Sequence, residues 1–173
     1  YSFQKLGINW LMNKDKAILG DEMGCGKTFQ AIVAAIELNI DRILIICPNT
    51  LKLNWMKEIE SLNETSISIF KKEFDLNAKW TIINYDKLSK VEVELKKLKF
   101  KLLIGDEAHL VKNSSSKRGK AFQRISTKIP KTWLLTGTPI ANRPIDFYQL
   151  LKLCKHDLGK DKMSFGRKYC NGT

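Results

Sequence analysis

The stretch Gly24–Thr28 combines residue types that can hold a phosphate chain. Its two glycines allow backbone N–H groups to turn inward around an anion, and a helix that begins directly after the loop points its positive end at that anion. Lys27 can reach the β- and γ-phosphates of a nucleotide, and the Thr28 hydroxyl can bind Mg²⁺. We therefore predict a phosphate-binding loop whose residues are Gly24, Cys25, Gly26, Lys27 and Thr28.

The strict form of this motif has a glycine at position 21, where this chain has Asp21. A tight turn before a helix is the alternative interpretation of the glycines. That alternative does not explain why Lys27 and Thr28 follow the second glycine, so we favour the phosphate loop.

A second distinctive stretch, Asp106–His109, follows a run of apolar residues typical of a buried strand. An acidic residue at the end of such a strand can hold a Mg²⁺ that bridges two phosphates, and its neighbour can orient and deprotonate the attacking water. We assign Asp106 to the metal and Glu107 to the water, so Lys27 and Glu107 are the predicted catalytic residues. Alone, two acids would indicate a surface loop; the phosphate loop upstream favours the catalytic interpretation.

Small hydroxyl residues follow a third predicted strand, in Thr136–Pro139. Thr136 and Thr138 could sense the γ-phosphate or link His109 to movement. Glycine and proline also mark plain turns, and by residue type alone this stretch fits a turn equally well.

Short apolar, β-branched runs predict strands at Ala17–Leu19, Arg42–Cys47, Ile67–Phe70, Thr81–Asn84, Lys101–Gly105 and Thr132–Leu135. Helical patterns fall at Lys27–Leu38, Leu51–Leu62, Asp86–Lys97, Lys117–Ser126 and Ile145–Lys155. Asn49 or Thr50 is expected to cap the second helix, and Pro144 suits the first turn of the last one. The tail Lys160–Thr173 shows no clear pattern.

The alternation of strands and helices predicts an α/β fold with three layers, in which a mainly parallel sheet carries helices on both faces. Ligands of such sheets bind beyond the carboxyl ends of the strands. The three stretches described above each follow a predicted strand directly, so we expect them to converge in space.

Composition narrows the class of partner. The 173 residues suffice for one domain with a core, and no apolar run approaches the roughly 20 residues that cross a bilayer, so no membrane partner is expected. The net charge of +12 favours a polyanionic partner, although any single lysine can simply be a solvated surface group. The four cysteines lack the paired spacing of a zinc site.

Taken in order, these residues resemble the Snf-two (Swi/Snf-type) ATPases of helicase superfamily two. Phe3–Leu11 is similar to the family's adenine-recognising motif, which implies that Gln4 reads adenine. Asp21–Thr28 is similar to motif I and adds Met23 to the ATP-binding residues. The family itself has an acidic residue at the position of Asp21, and most members carry leucine instead of Cys25.

The remaining motifs of the family have counterparts in the same order. Ile45–Trp55 is similar to motif Ia, and Asn84–Tyr85 lies where the family has another strand-end DNA contact. Asp106–Asn113 resembles motif II with its extension, and Leu135–Asn142 is like motif III. The resemblance implies nucleic-acid contacts by Asn49, Thr50, Lys52, Tyr85, Lys112 and Asn113, and coupling roles for His109, Thr136 and Thr138.

Two departures from the family pattern are informative. Leu110 stands where the family usually has an arginine, which removes one polar contact. Arg143–Pro144 replaces the usual polar residues after motif III. Together with Phe165, Arg167, Tyr169 and Cys170, this departure resembles the annealing-helicase-like branch of the family.

The resemblance implies a RecA-like P-loop NTPase fold, ATP and Mg²⁺ as cofactors, and DNA-stimulated ATP hydrolysis that drives translocation along duplex DNA. It also implies that residues 1–156 form the first RecA-like lobe and that residues 157–173 lead toward a second lobe. Such motors carry an arginine finger on the second lobe, so we expect the chain alone to be inactive or very slow. An intracellular location follows, in the nucleus of a eukaryote or in the cytoplasm or nucleoid of a bacterium.

Two other functions remain open at this stage. Within the same fold, the chain could be a lobe of an RNA helicase or of a restriction-enzyme motor subunit. From a different class, it could be a non-catalytic nucleic-acid-binding module with a relic nucleotide pocket. The intact Lys27, Thr28, Asp106 and Glu107 argue against such decay.

Overall fold

The computed structural model describes residues 1–140 and 143–170, so Asn142 of the predicted motif III and the last three residues of the tail lie outside the described residues. The strands are β1 Lys16–Leu19, β2 Ile43–Cys47, β3 Ile67–Ile69, β4 Trp80–Asn84, β5 Leu102–Gly105 and β6 Lys131–Leu135. They form one sheet in the order β1-β6-β5-β2-β4-β3, and its five pairings are all parallel. The predicted mainly parallel sheet is confirmed.

The helices are α1 Ser2–Met12, α2 Lys27–Glu37, α3 Lys52–Ser61, α4 Leu88–Lys97, α5 Lys117–Ser126, α6 Ile145–Leu153 and α7 Lys162–Tyr169. The sequence patterns did not predict α1 or α7. In α1 only Leu11 is fully buried, while Phe3, Leu6 and Trp10 are exposed, so its apolar residues do not form one buried stripe. Within the described residues, every helix is too short or too polar to cross a membrane.

The strands alternate their side chains between two apolar layers. Ile43 and Ile45 of β2 face a cluster that includes Trp55 of α3 and the buried residues of α1 and α2. Leu44 and Ile46 face the opposite cluster, which contains Phe122 of α5, the buried residues of α4, and Leu150 and Leu153 of α6. Helices therefore cover both faces, and the predicted three-layer arrangement is confirmed.

The predicted cap of α3 is wrong. Asn49 and Thr50 form a 3-10 turn with Leu51, and α3 begins at Lys52 without a side-chain cap. Because Leu51 already has a helical backbone, the turn continues directly into the helix. Neither Asn49 nor Thr50 therefore occupies the extended position that a capping side chain requires.

The tail that had no clear pattern contains a short helix. Asp161 caps α7 by accepting from the backbone N–H groups of Met163 and Ser164. Phe165 of α7 packs against Tyr148 of α6, with ring centroids 5.6 Å apart. The sequence did not predict this helix, because one buried aromatic residue, Phe165, gives no helical periodicity of apolar residues.

Lys16 ties the edge strand β1 to the end of α5. Its Nζ donates to the carbonyl oxygens of Ser126 at 3.2 Å and Ile129 at 2.9 Å, and to Thr132 Oγ1 at 2.7 Å. Burial lowers the pKa of this lysine. One ammonium group therefore donates to all three of these acceptor oxygens.

Lys16→Met keeps the apolar length of the side chain and removes the donor. We expect the free energy of unfolding to fall by about 2 kcal/mol, because buried acceptors lose their partner. Urea unfolding measures the change, and Lys5→Met on the exposed side of α1 is the control. Equal stabilities of the two variants would contradict this role for Lys16.

Glu92 joins α4 to α5. Its carboxylate accepts from Arg124 Nε at 2.8 Å and from Arg124 Nη2 at 2.7 Å, and it also pairs with Lys96. The hydrogen bond from Arg124 is the largest of the effects that lower the pKa of Glu92, from the ordinary 4.5 to about 2. A carboxylate with a lowered pKa stabilises the folded state above its ordinary pKa, and this stabilisation is lost as the pH falls.

Glu92→Gln should therefore lower the free energy of unfolding at neutral pH. The difference in this free energy between the variant and the wild type should shrink as the pH falls from 4.5 toward about 2. Thermal unfolding at a series of pH values measures this. Glu94→Gln, at an exposed position on the same helix, should show no such dependence. A difference that stays constant across the range would rule out the proposed ion-pair contribution.

Candidate functional site

The three distinctive stretches follow β1, β5 and β6, which are neighbours in the sheet. A Cβ added at Gly137 would lie 3.4 Å from Lys27 Nζ, so the third stretch lies against the phosphate loop. His109 Nδ1 is 3.5 Å from Thr136 Oγ1 and 3.4 Å from Thr138 Oγ1. The predicted convergence at the carboxyl ends of the strands is confirmed.

The phosphate loop has the backbone that its glycines predicted. Gly24 and Gly26 adopt φ angles of 83° and 69°, in the left-handed region that disfavours other residues. Gly26 directly precedes α2, so the helix points its N-terminus at the loop. Lys27 Nζ donates to the carbonyl oxygens of Asp21 and Glu22, both at 2.8 Å, which holds the ammonium inside the loop.

Two glutamine side chains hold the loop from outside. Gln4 of α1 donates through Nε2 to the Cys25 carbonyl at 3.2 Å. Gln30 of α2 donates to the same carbonyl and to Asp21 Oδ2, both at 3.1 Å. Asp21, at the position of the missing glycine, therefore has a structural partner. The predicted ATP-binding residue Met23 lies beside the loop, where it approaches Gly137.

Gln30 was missed by the sequence-based reasoning. It is fully buried on the same face of α2 as Ala31 and Ala34. A polar side chain at a buried helical position needs hydrogen-bond partners, and that was the available signal. The pattern could not reveal that the partners are in the phosphate loop.

Asp106 is buried and accepts hydrogen bonds from three protein groups, two at its carboxylate and one at its backbone carbonyl. Oδ2 accepts from Trp55 Nε1 at 2.8 Å, Oδ1 accepts from the Glu107 backbone N–H at 2.9 Å, and the carbonyl oxygen accepts from the Tyr85 hydroxyl at 2.6 Å. Burial raises the pKa of Asp106, and the hydrogen bonds and the positive charge of Lys27 oppose that effect. Lys27 thus acts electrostatically on Asp106.

Glu107 has an unusual backbone and an unsatisfied side chain. Its φ of 49° and ψ of 50° lie in the left-handed region, which costs energy for a residue with a Cβ. Its Oε2 is buried and lies 3.2 Å from His109 Nδ1, and among the residues that the structure describes this oxygen has no hydrogen-bond donor. A buried acceptor without a donor is costly. The arrangement fits a carboxylate that receives a donor from a bound water.

The oxygen ligands and the cation at this site fit a nucleotide with Mg²⁺. Mg²⁺ prefers a few oxygen ligands from the protein together with phosphate and water oxygens. Thr28, in the first turn of α2, and Asp106, after β5, supply oxygens of this kind. Lys27 supplies a cation for the phosphates, and Glu107 supplies an unpartnered oxygen.

The residues predicted to contact nucleic acid differ in exposure. Asn49, Thr50 and Asn113 are exposed, while Lys52 and Lys112 are half-buried. Lys112 Nζ lies 2.9 Å from an oxygen of Asp146, so its charge is already paired.

The expectation for Tyr85 is wrong. Its side chain is only 3% exposed, because the ring packs in the apolar cluster beside Phe122. Its hydroxyl donates to the Asp106 carbonyl oxygen. A ring in this position cannot stack on a base or touch a DNA backbone, and the residue supports Asp106 instead.

A parallel sheet with a phosphate loop after β1 and an acidic pair after β5 defines a RecA-like P-loop domain. The chain belongs to the SNF2-related domain family, whose model matches residues 3–171. The family resemblance inferred from the motifs is confirmed.

Relatives refine this assignment. The chain is 30% identical over 182 residues to a Caenorhabditis elegans homolog of SWI/SNF-related matrix-associated actin-dependent regulator of chromatin subfamily A-like protein 1, covering 99% of the chain and 26% of that relative. It is 32% identical over 185 residues to the DNA annealing helicase and endonuclease ZRANB3 of Bos taurus, covering 98% of the chain and 17% of that relative. The predicted annealing-helicase-like branch is confirmed. The chain spans about a quarter or less of these relatives.

A solved structure shows the same fold. The Sulfolobus solfataricus SWI2/SNF2 ATPase core in complex with dsDNA aligns with a TM-score of 0.83 and 25% identity, covering 98% of this chain and 38% of that one. The RecA-like architecture is therefore confirmed by structural similarity as well as by the sheet order.

Gly7 of α1 leaves the space that Gln30 occupies. A Cβ at Gly7 would lie 1.8 Å from Gln30 Oε1. Gly7→Ala should displace Gln30, loosen the Asp21–Cys25 contacts and weaken ATP binding by about tenfold, equivalent to about 1.4 kcal/mol. Titration with a fluorescent ATP analogue measures the affinity.

Gly20→Ala is the matched control, because the one described atom within 4 Å of a Cβ there is Pro139 Cγ, at 3.9 Å. Its affinity should remain within about twofold of the wild type, since that is an ordinary contact distance. Equal affinities of the Gly7→Ala and Gly20→Ala variants would show that Gln30 does not hold the loop.

Proposed function

We propose that this chain is the ATP-binding lobe of a DNA-stimulated ATPase that translocates along duplex DNA. One observation carries the proposal: Lys27, Asp106 and the unpartnered oxygen of Glu107 lie at one edge of the sheet, after neighbouring strands. The similarity to a DNA annealing helicase and to an ATPase core in complex with dsDNA supports the choice of duplex DNA.

Each residue has a defined part in the proposed chemistry. Lys27 and the loop N–H groups bind the phosphates, and Thr28 and Asp106 hold Mg²⁺. Mg²⁺ held by these two residues would neutralise charge that develops on the phosphates. Glu107 accepts a hydrogen bond from the attacking water and orients it, and Gln4 reads adenine from its position beside Cys25. The coupling role belongs to His109, Thr136 and Thr138, which would link the presence of the γ-phosphate to movement of the chain.

The charge distribution supports a polyanionic partner. The net charge is +12, and Asn49, Thr50 and Asn113 present exposed polar groups beyond the strand ends, with Lys52 and Lys112 beside them. A groove beside the Lys112–Asp146 ion pair is lined by three cations, Arg143, Lys152 and Lys162. Cations grouped in this way favour phosphate backbones through counterion release.

The proposed motor needs a second RecA-like lobe. Within this proposal, residues 1–156 form the first lobe and residues 157–173 lead toward the second, whose arginine finger stabilises charge in the transition state. The isolated chain should then hydrolyse ATP very slowly or not at all. For a motor on DNA we propose an intracellular location, the nucleus if the source is eukaryotic and the cytoplasm or nucleoid if it is bacterial.

Glu107→Gln in the full protein that carries this chain tests the proposal. We expect duplex DNA to stimulate ATP hydrolysis by the wild type, and the substitution to lower kcat by about a hundredfold or more because the amide cannot accept the water proton. ATP affinity should change little, since the phosphate loop is intact. Steady-state hydrolysis and nucleotide titration measure the two effects.

Glu60→Gln, at an exposed position of α3, is the control and should behave as the wild type. Stimulation by single-stranded RNA instead of duplex DNA would replace the proposed substrate with RNA. If Glu107→Gln still hydrolyses ATP at the wild-type rate, Glu107 is not the residue that activates the attacking water.

A further inference from the structure

Trp55 connects two parts of the molecule that have separate proposed roles. It lies on the first turn of α3, directly after the 3-10 turn Asn49–Leu51. Its side chain is 1% exposed, and its indole Nε1 donates to Asp106 Oδ2 at 2.8 Å. The start of α3 carries the proposed DNA-contacting residues, and Asp106 is the proposed metal ligand. One buried hydrogen bond joins them.

The donors around Asp106 fix the orientation of its carboxylate. An indole has one N–H donor and no acceptor, so Oδ2 is the oxygen that faces Trp55. The backbone N–H of Glu107 holds Oδ1 at 2.9 Å. With one donor on each oxygen, rotation of the carboxylate breaks a charge-assisted hydrogen bond. A displacement of Trp55 therefore changes the position of Oδ2.

Tyr85 holds the main chain of the same residue. It lies in the 3-10 turn after β4, and its hydroxyl donates to the Asp106 carbonyl oxygen at 2.6 Å. The ring packs beside Phe122, so it has a fixed support on the far side of the sheet. Tyr85 thus anchors the backbone of Asp106 from one side of the sheet, whereas Trp55 reaches its carboxylate from α3, whose preceding turn carries the exposed residues Asn49 and Thr50.

We propose that Trp55 is a positioning residue that transmits DNA contact at the start of α3 to the metal-binding carboxylate of Asp106. The proposal rests on the proposed function, since it needs both a nucleotide at Asp106 and DNA at Asn49 and Thr50. A phosphate backbone that contacts this turn shifts α3, and the indole carries the shift to Oδ2. DNA then stimulates hydrolysis by completing the geometry of the metal site.

Trp55→Phe removes the indole donor and keeps an aromatic ring. In the full protein, we expect DNA-stimulated kcat to fall about tenfold with KM for ATP little changed, because supporting contacts of a metal ligand have effects of this size. The affinity of the nucleotide complex for Mn²⁺, measured by electron paramagnetic resonance without turnover, should weaken by about tenfold as well.

Trp80→Phe is the matched control. The Trp80 indole is also fully buried in the same apolar cluster and also donates to a carboxylate, Glu64 Oε2, at 2.9 Å. The variant loses the same type of hydrogen bond away from Asp106, so its Mn²⁺ affinity and its stimulation by DNA should equal those of the wild type. Thermal unfolding compares the folding of the two variants.

The outcomes separate this proposal from the proposed function. If the wild type hydrolyses ATP with DNA stimulation and Trp55→Phe matches Trp80→Phe in Mn²⁺ affinity and stimulation, the coupling role is wrong and the proposed function stands. If the wild type neither binds Mn²⁺ with nucleotide nor hydrolyses ATP, both are wrong. If Trp55→Phe does not fold, the wild type decides: duplex DNA must tighten the Mn²⁺ affinity of the nucleotide complex, because the proposal has DNA contact adjust the metal-binding carboxylate, and a Mn²⁺ affinity that DNA leaves unchanged would overturn the proposal.

Discussion

The structure around the candidate site depends on how a buried carboxylate is satisfied. An ionised carboxylate removed from water is costly unless donors or cations replace the lost hydration. Asp106 is 8% exposed and meets that requirement with the indole of Trp55 and the N–H of Glu107, while Lys27 contributes positive charge. These groups come from different elements, so the buried carboxylate has this compensation for its lost hydration only when the elements are assembled.

The sheet provides that assembly. β5, which ends at Asp106, lies between β6 and β2 in the sheet order, and β1 lies next to β6. The phosphate loop after β1 and the turn before α3 therefore reach Asp106 from opposite sides. Under the proposed function, such a site has the nucleotide-binding loop and the proposed nucleic-acid-binding turn on either side of the proposed metal ligand. That arrangement explains in physical terms how an ATPase can respond to DNA.

Strongly patterned features could be predicted from the sequence, and features that depend on tertiary partners could not. The parallel sheet, the helix after Gly26 and the convergence of Lys27 with Asp106 followed from periodicity and strand order. The role of Tyr85 was mispredicted, because its position at a strand end does not reveal that its ring is buried. The ring of Trp55 lies in the core, and a buried indole also needs an acceptor for its N–H. Nothing local to α3 indicates that Asp106 is that acceptor.

The most direct test is a crystal structure of the full protein with Mg²⁺ and a non-hydrolysable ATP analogue. The account predicts the triphosphate in the loop at Gly24–Thr28, with Lys27 Nζ on the β- and γ-phosphates. It also predicts that Mg²⁺ is held by the Thr28 hydroxyl and Asp106, with a water beside Glu107. A nucleotide bound elsewhere, or a metal that is not held by Asp106 and lies away from Glu107, would contradict it.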